Sequence, residues 1–259
     1  MSLIQIKRDG TIGVITLDHP AKRNALSSTM VFEIVAALKA FAEERLRVAV
    51  IRAQPGAKVF SAGHDIDELP EGRRDPLGWD DSLRHLVRAI EQFPAPVIAM
   101  VEGTVWGGAT ETVLCCDVVV ATPDVTFAIT PAKLGVPYNV AGMLTFFNAV
   151  GLRQVKEMTF TARPLTAPRA EHLGLINAVV RHDEIEAYVE RFARDIAANA
   201  PLSIALMKEE LRILAGAHPI SPQGFERIQG LRRTVYDSRD YAEGIKAFKE
   251  KRKPVFEGR

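Results

Sequence analysis

Two segments combine glycines with polar side chains in a way that suits chemistry at a carbonyl group. They are Lys58-Val59-Phe60-Ser61-Ala62-Gly63-His64-Asp65-Ile66 and Val101-Glu102-Gly103-Thr104-Val105-Trp106-Gly107-Gly108-Ala109-Thr110-Glu111. Each follows a run that reads as a buried strand. In a parallel sheet the carboxyl ends of neighbouring strands lie on one side, so two such loops can present backbone N–H groups to a common point. Glycines at 63, 107 and 108 allow close approach to a ligand, and Gly107-Gly108 opens an expected helix whose N-terminal dipole favours negative charge. Two amides aimed at one oxygen form an oxyanion hole, which stabilises a carbonyl oxygen as it gains charge. Taken singly, either segment also reads as an ordinary loop.

Other chemistries lack their signatures. No G-x-G-x-x-G follows a strand, and there is no Walker-type phosphate loop, H-E-x-x-H, C-x-x-C or G-x-S-x-G. His19, His85, His172, His182 and His218 show no metal-ligand spacing, so no metal site is expected. Lys+Arg 33 against Asp+Glu 32 leaves a formal charge of +1, too small a field to draw the chain onto nucleic acid or an anionic membrane. An anionic ligand must therefore be held locally. Cys115 and Cys116 are adjacent, which disfavours a disulfide between them and suits a reducing compartment. The N-terminal residues lack a signal-peptide stretch and no run spans a bilayer, so the expected location is the cytoplasm.

The elements that must position the two loops are legible in the periodicity. Residues 4–8 and 11–17 are β-rich runs joined at Asp9-Gly10, a dipeptide suited to a tight hairpin. From Ser28, read as an N-cap, Val31, Ile34, Val35, Leu38 and Phe41 recur at helical spacing. Strands are expected at 48–52, 97–101 and 118–121, with helices around 81–92 and 107–115 between them. This alternation indicates parallel pairing through crossover helices. Beyond residue 140 helical periodicity dominates, with 175–180 strand-like and Pro201 opening a helix at its tolerated first turn. The expected organisation is an α/β core over residues 1–195 and a helical region over 196–259.

The loops together resemble the enoyl-CoA hydratase/isomerase (crotonase) superfamily, and the resemblance runs nearly end to end. It rests on Asn24-Ala25-Leu26, on Phe60-Ser61-Ala62-Gly63-His64-Asp65-Ile66 where relatives often carry F-x-A-G-x-D, on Gly107-Gly108-Ala109-Thr110-Glu111 followed by Cys116-Asp117, and on the closing segment around Lys251-Arg252-Lys253-Pro254. The resemblance implies a spiral of ββα turns with a C-terminal helical trimerisation region, assembled as a homotrimer or a dimer of trimers. It implies an acyl-CoA thioester as ligand, with coenzyme A as part of the substrate and no separate cofactor. It places the oxyanion-hole donors on the backbone N–H groups of His64 and Gly108. Ala62, Gly63, Asp65 and Ile66 match the loop that receives the CoA arm, and Lys251 matches a C-terminal cation near the phosphates.

A typical hydratase of this superfamily uses two glutamates, one matched by Glu111 and one in a segment like F-G-Q-P-E-I-L-L-G. Here that segment is Phe127-Ala128-Ile129-Thr130-Pro131-Ala132-Lys133-Leu134-Gly135, and Pro131 stands in the second glutamate's place. Proline has no titratable group, so the pair that adds water to a double bond is incomplete. Decarboxylation needs an enolate sink and a donor that turns the leaving carboxylate out of the thioester plane. Tyr138, in Gly135-Val136-Pro137-Tyr138-Asn139, supplies such a hydroxyl. The match, which includes Phe225-Glu226-Arg227-Ile228-Gln229-Gly230, implies decarboxylation of a short malonyl-type thioester, methylmalonyl-CoA to propionyl-CoA and CO2. An isomerase or hydratase of the same superfamily, or a non-catalytic CoA-binding protein, is the alternative. In the decarboxylase reading, His64 contacts the same carboxylate or manages the later proton, and Thr130 reaches the acyl group or serves as a turn hydroxyl. Glu111, facing an anionic substrate, requires shielding, for which charge logic suggests Arg84. Trp106 is expected to pack beside the glycine pair and wall the acyl pocket.

Overall fold

The structure is a computed structural model and describes residues 2–70, 72 and 74–259. An antiparallel hairpin, β1 (Ile4–Asp9) and β2 (Ile12–Leu17), leads into α1 (Ser28–Glu43). Three ββα turns follow. The first is β3 (Val48–Ala53), β4 (Val59–Ser61) and α2 (Ser82–Gln92); the second is β5 (Val97–Val101), β6 (Thr104–Trp106) and α3 (Gly108–Leu114). The third is β7 (Val118–Ala121), β8 (Thr126–Ala128) and α4 (Val140–Ala149). After these come α5 (Leu152–Thr161), β9 (Leu165–Thr166), α6 (Ala167–His172), β10 (Ala178–Val179) and α7 (Ile185–Ala198). The chain closes with α8 (Pro201–Ala215), α9 (Pro222–Tyr236) and α10 (Arg239–Lys249).

The first strand of each turn joins a six-stranded sheet of order β1-β2-β3-β5-β7-β10, and the second joins a four-stranded sheet of order β4-β6-β8-β9. This is the expected α/β spiral of ββα units. The large sheet is covered on both faces, which explains its nearly continuous apolar strands. In β3, Ala49 and Ile51 face a core shared with Ile34 and Leu38 of α1 and Leu86 and Ile90 of α2. Val48 and Val50 face the opposite side, against Ile185, Val189 and Ala193 of α7. The expected division at residue 195 thus falls inside α7, a helix that packs on the sheet.

Several local expectations shift. The cap of α1 is Ser27, whose hydroxyl accepts from the Met30 N–H, and Ser28 is the first helical residue. The run 175–180 contributes only the two-residue β10, because Leu175 and Ile176 are spent as core side chains before the chain pairs with β7. The second sheet was not anticipated: its strands have two or three residues, too short for a period of two to register. Among the described residues, no helix is long and apolar enough to cross a membrane.

Candidate active site

The small sheet, rather than the large one, carries the site. β4, β6 and β8 run parallel and in near register, with Val59 opposite Thr104 and Trp106 opposite Ala128. The residues that follow them, Ala62 to His64, Gly107-Gly108 and Thr130, therefore emerge side by side at the carboxyl edge. They open onto a cavity of about 380 Å³ lined by Ala62, His64, Gly108, Thr130 and Tyr138, with apolar walls from Leu77 and Leu83. Trp106 lines it as expected.

Backbone hydrogen bonding isolates two amides at this edge. Around His64, the Ala62 N–H donates to the Arg23 carbonyl at 3.0 Å, the Gly63 N–H to Ser61 Oγ at 3.1 Å, and the Gly63 carbonyl accepts from the Leu26 N–H at 2.8 Å. Asn24 braces the same loop, its Nδ2 donating to the Phe60 carbonyl at 3.0 Å while its own carbonyl accepts from Ser61 Oγ at 2.6 Å. Across from it, the Gly107 N–H donates to the Ala128 carbonyl at 2.8 Å. Among the described residues the N–H groups of His64 and Gly108 have no acceptor. The two loops nearly touch: a β-carbon at Gly63 would lie 2.9 Å from Gly108 N and 2.4 Å from the Trp106 carbonyl, and one at Gly108 would lie 3.4 Å from His64 N. Gly63 also has φ +89°, so no side chain is tolerated there on either ground. The residues that carry these two unpaired donors, from separate loops, thus line one cavity.

Behind the glycine pair lies a buried polar cluster. Glu111, fully buried on α3, pairs through Oε1 with Arg84 Nη1, and its Oε2 accepts from the Tyr138 hydroxyl at 2.5 Å. Burial pushes the Glu111 carboxyl above its ordinary value, while the Arg84 charge and the Tyr138 bond pull against that rise. Burial and the adjacent Glu111 hold the Tyr138 phenol well above its usual range, so it stays protonated. The partnership of Arg84 with Glu111 was expected, whereas the occupation of Tyr138 by Glu111 was not. Gly142 makes room for it, since a β-carbon there would meet Tyr138 Cε1 at 2.2 Å and Glu111 Oε2 at 2.9 Å.

His64 is held equally firmly. Nδ1 lies 3.0 Å from the Asp65 carbonyl and Nε2 lies 2.9 Å from Asp81 Oδ2, and both partners only accept. Burial works to lower the pKa of His64, but the Asp81 carboxylate outweighs it, and the net direction is upward. The imidazolium form, with two N–H donors, satisfies both partners. Asp81 was legible as the start of a helix, and its Oδ1 does cap α2 by accepting from the Leu83 N–H at 3.0 Å. That its other oxygen reaches His64 carries no sequence signal, because the two stand 17 positions apart in the chain.

The remaining predicted residues divide. Thr130 sits at the N-cap of the 3₁₀ turn Pro131–Leu134 without making a capping bond, and it lines the cavity. Ile66 lines the cavity. Asp65 instead turns its carboxylate to Lys22 Nζ at 3.1 Å and to the Asp67 N–H at 3.1 Å, capping the turn Ile66–Glu68. Lys251 is exposed past the end of α10 and does not line the cavity, whereas Phe248, less than one turn earlier, does. Among the described residues, no group of three or more His, Cys, Asp or Glu side chains is arranged to hold a metal.

Known proteins resemble the chain along nearly its whole length. Methylmalonyl-CoA decarboxylase of Escherichia coli (strain K12) is 49% identical over 247 residues, which cover 95% of each chain. Carnitinyl-CoA dehydratase of Salmonella typhi is 34% identical over 99% of this chain and 98% of its own. A solved structure of methylmalonyl-CoA decarboxylase in complex with 2-nitronate-propionyl-CoA superposes with a TM-score of 0.98 at 47% identity, covering 99% of both chains. An enoyl-CoA hydratase structure from Mycobacterium avium subsp. paratuberculosis K-10 superposes at 0.82 with 25% identity, covering 98% of both. The family model described as enoyl-CoA hydratase/isomerase matches residues 7–259, and the chain belongs to that family.

Proposed function

We propose that this chain is a carboxy-lyase that converts methylmalonyl-CoA to propionyl-CoA and CO2 through a thioester enolate. The observation that carries the reading is the convergence of the unpaired His64 and Gly108 amides on one cavity, beside which the fully buried carboxylate of Glu111 already has both oxygens engaged. With Pro131 in the second acid's place, the site lacks the free acid/base pair that hydration requires. Its likeness to the decarboxylases extends over the whole chain.

In this mechanism the thioester oxygen accepts from both amides. The C–C bond to the carboxylate breaks, its electron pair moves into the carbonyl π system, CO2 leaves, and the enolate carbon takes one proton from water. Each amide contributes about 2.7–4 kcal/mol to the charged state, by analogy with single oxyanion donors elsewhere. No base is required for bond breaking. Tyr138 has one phenolic proton, so it orients the substrate carboxylate by exchanging its Glu111 acceptor for the substrate's. Arg84 keeps Glu111 compensated meanwhile. Thr130 bounds the acyl group, and the His64 imidazolium, fixed by Asp81, adds positive charge beside the enolate that forms as neutral CO2 leaves. The electron sink is the thioester itself, and the reading assigns no separate cofactor.

Ala62, Gly63, Asp65 and Ile66 form the strip that receives the CoA arm, and Lys251 meets its phosphates. Residues 1–195 carry the acyl-CoA site, and 196–259 complete the CoA site and supply contacts of a homotrimer or dimer of trimers in the cytoplasm. The deciding experiment incubates the protein with methylmalonyl-CoA, malonyl-CoA, crotonyl-CoA and a 3-enoyl-CoA while following CO2 and absorbance. Release of CO2 from a malonyl-type thioester is expected. Turnover of crotonyl-CoA or the 3-enoyl-CoA alone refutes the reading in favour of a hydratase or isomerase, and turnover of none leaves a CoA-binding protein.

A further inference from the structure

The site leaves one buried cation unused. Arg232, on α9, is 6% exposed and does not line the cavity, yet its guanidinium grips Asp75 with Nη1 donating to Oδ2 at 2.6 Å and Nη2 to Oδ1 at 2.5 Å. Nη2 also donates to the Leu77 carbonyl at 3.4 Å, across a sequence separation of 155 residues. Gln229, within the segment Phe225-Glu226-Arg227-Ile228-Gln229-Gly230, accepts from Nη1 at 3.2 Å. Burying an ion pair is costly even when its geometry is good, and Arg232 Nε is buried without a partner, so the pair is weak evidence for stability alone.

Leu77 links this clamp to the site. Its side chain lines the acyl cavity and is itself buried, and its carbonyl accepts a second bond from Asn139 Nδ2 at 3.2 Å. Asn139 follows Tyr138 and caps α4 by accepting from the Gly142 N–H at 2.7 Å. One wall of the cavity is thus fixed from two sides, by the segment bearing Tyr138 and by a helix of the C-terminal region. An apolar wall discriminates substrates differing by one methylene only if it does not yield. A bidentate Arg–carboxylate pair gives that rigidity, and a lysine cannot reproduce its geometry.

We propose that Arg232 is a positioning residue for acyl-group selectivity, clamping residues 75–77 so that Leu77 closes the cavity against substituents larger than methyl beside the thioester carbonyl. The proposal rests on the decarboxylase reading above. Its test compares kcat/KM for methylmalonyl-CoA and ethylmalonyl-CoA in the parent, Arg232→Met, Arg232→Lys and Leu77→Ala. The preference for methylmalonyl-CoA is expected to fall about tenfold in Arg232→Met, the size of effect one methylene commands. Leu77→Ala is expected to shift it in the same direction, and Arg232→Lys to recover part of it. A merely structural arginine lowers both rates together, so an unchanged ratio in folded Arg232→Met overturns the proposal. If that variant does not fold, Asp75→Asn loosens the same clamp, and an unchanged ratio there overturns it equally. A parent inert to both thioesters refutes the decarboxylase reading alone. The clamp is then judged by calorimetric Kd values for propionyl-CoA and butyryl-CoA, whose ratio must also shift between parent and Arg232→Met.

Discussion

At the scale of single residues, the site depends on groups whose neighbours are all satisfied. The Gly108 amide has no acceptor, and a β-carbon on the same residue would press on Leu83 Cδ2 at 2.7 Å. Gly108→Val is expected to crowd the space beside both donors, its β-carbon lying 3.4 Å from His64 N, and so to lower kcat roughly a hundredfold or more, in line with loss of one oxyanion donor. The Leu83 tip can move aside, so thermal unfolding should change far less than turnover. Glu111→Gln separates two roles for the buried carboxylate. It leaves Arg84 buried without a counter-charge and should destabilise the fold by roughly 3 kcal/mol in denaturant titration. Decarboxylation should survive within about tenfold when assayed on the folded fraction, since no base is assigned to bond breaking. Near-complete loss would show Glu111 acting on the substrate directly, as in a hydratase.

At the scale of elements, α2 does more than separate two strands. Its cap Asp81 holds His64, its Leu83 packs on Gly108, and its Arg84 neutralises Glu111, all within the first turn. Small displacements of this helix start should reach every part of the site. The His64–Asp81 pair also makes stability depend on pH in a definite sense. Because the folded pKa of His64 is raised, its contribution is fully present below the ordinary histidine value and is lost as pH rises through the raised folded value. Asp81→Asn keeps a good N-cap and removes the charge. The stability difference between parent and variant should thus be largest on the acidic side of pH ~6.5 and shrink as pH rises. Chemical denaturation across that range measures it, and a difference that grows with pH would mean His64 is held neutral.

At the scale of the whole molecule, the C-terminal helices are bound to the core yet leave apolar surface uncovered. Lys208 on α8 donates from one ammonium to the carbonyls of Ile90 and Ala95 at 3.1 and 3.0 Å, and to Asp117 Oδ2 at 2.7 Å. On the same helix Leu202, Leu206, Met207, Leu211, Ile213 and Leu214 are each more than half exposed. Monomers rarely leave so many large apolar side chains of one helix in water. Under the trimer reading, Leu206→Asp with Leu211→Asp should convert a species of about three chain masses into one chain mass in sedimentation. A parent that already sediments as a monomer refutes that assembly. If Lys251 meets CoA phosphates from the exposed end of α10, Lys251→Met should raise KM severalfold and change kcat little.

The sequence by itself determined the large-sheet strands other than β10, the helices α1, α2 and α8, and the two glycine loops, because these depend on local periodicity and on the backbone freedom of named glycines. It also supplied the Arg84–Glu111 pair, since a buried carboxylate needs a cation and α2 offered one. Only the tertiary structure decided which sheet carries the site, that Tyr138 is already bonded to Glu111, and that Asp81 and Arg232 reach across the chain to His64 and Leu77. Those outcomes turn on distances between elements far apart in sequence. A hydrogen bond is decided within a few tenths of an ångström, a scale that no pattern of residue types records.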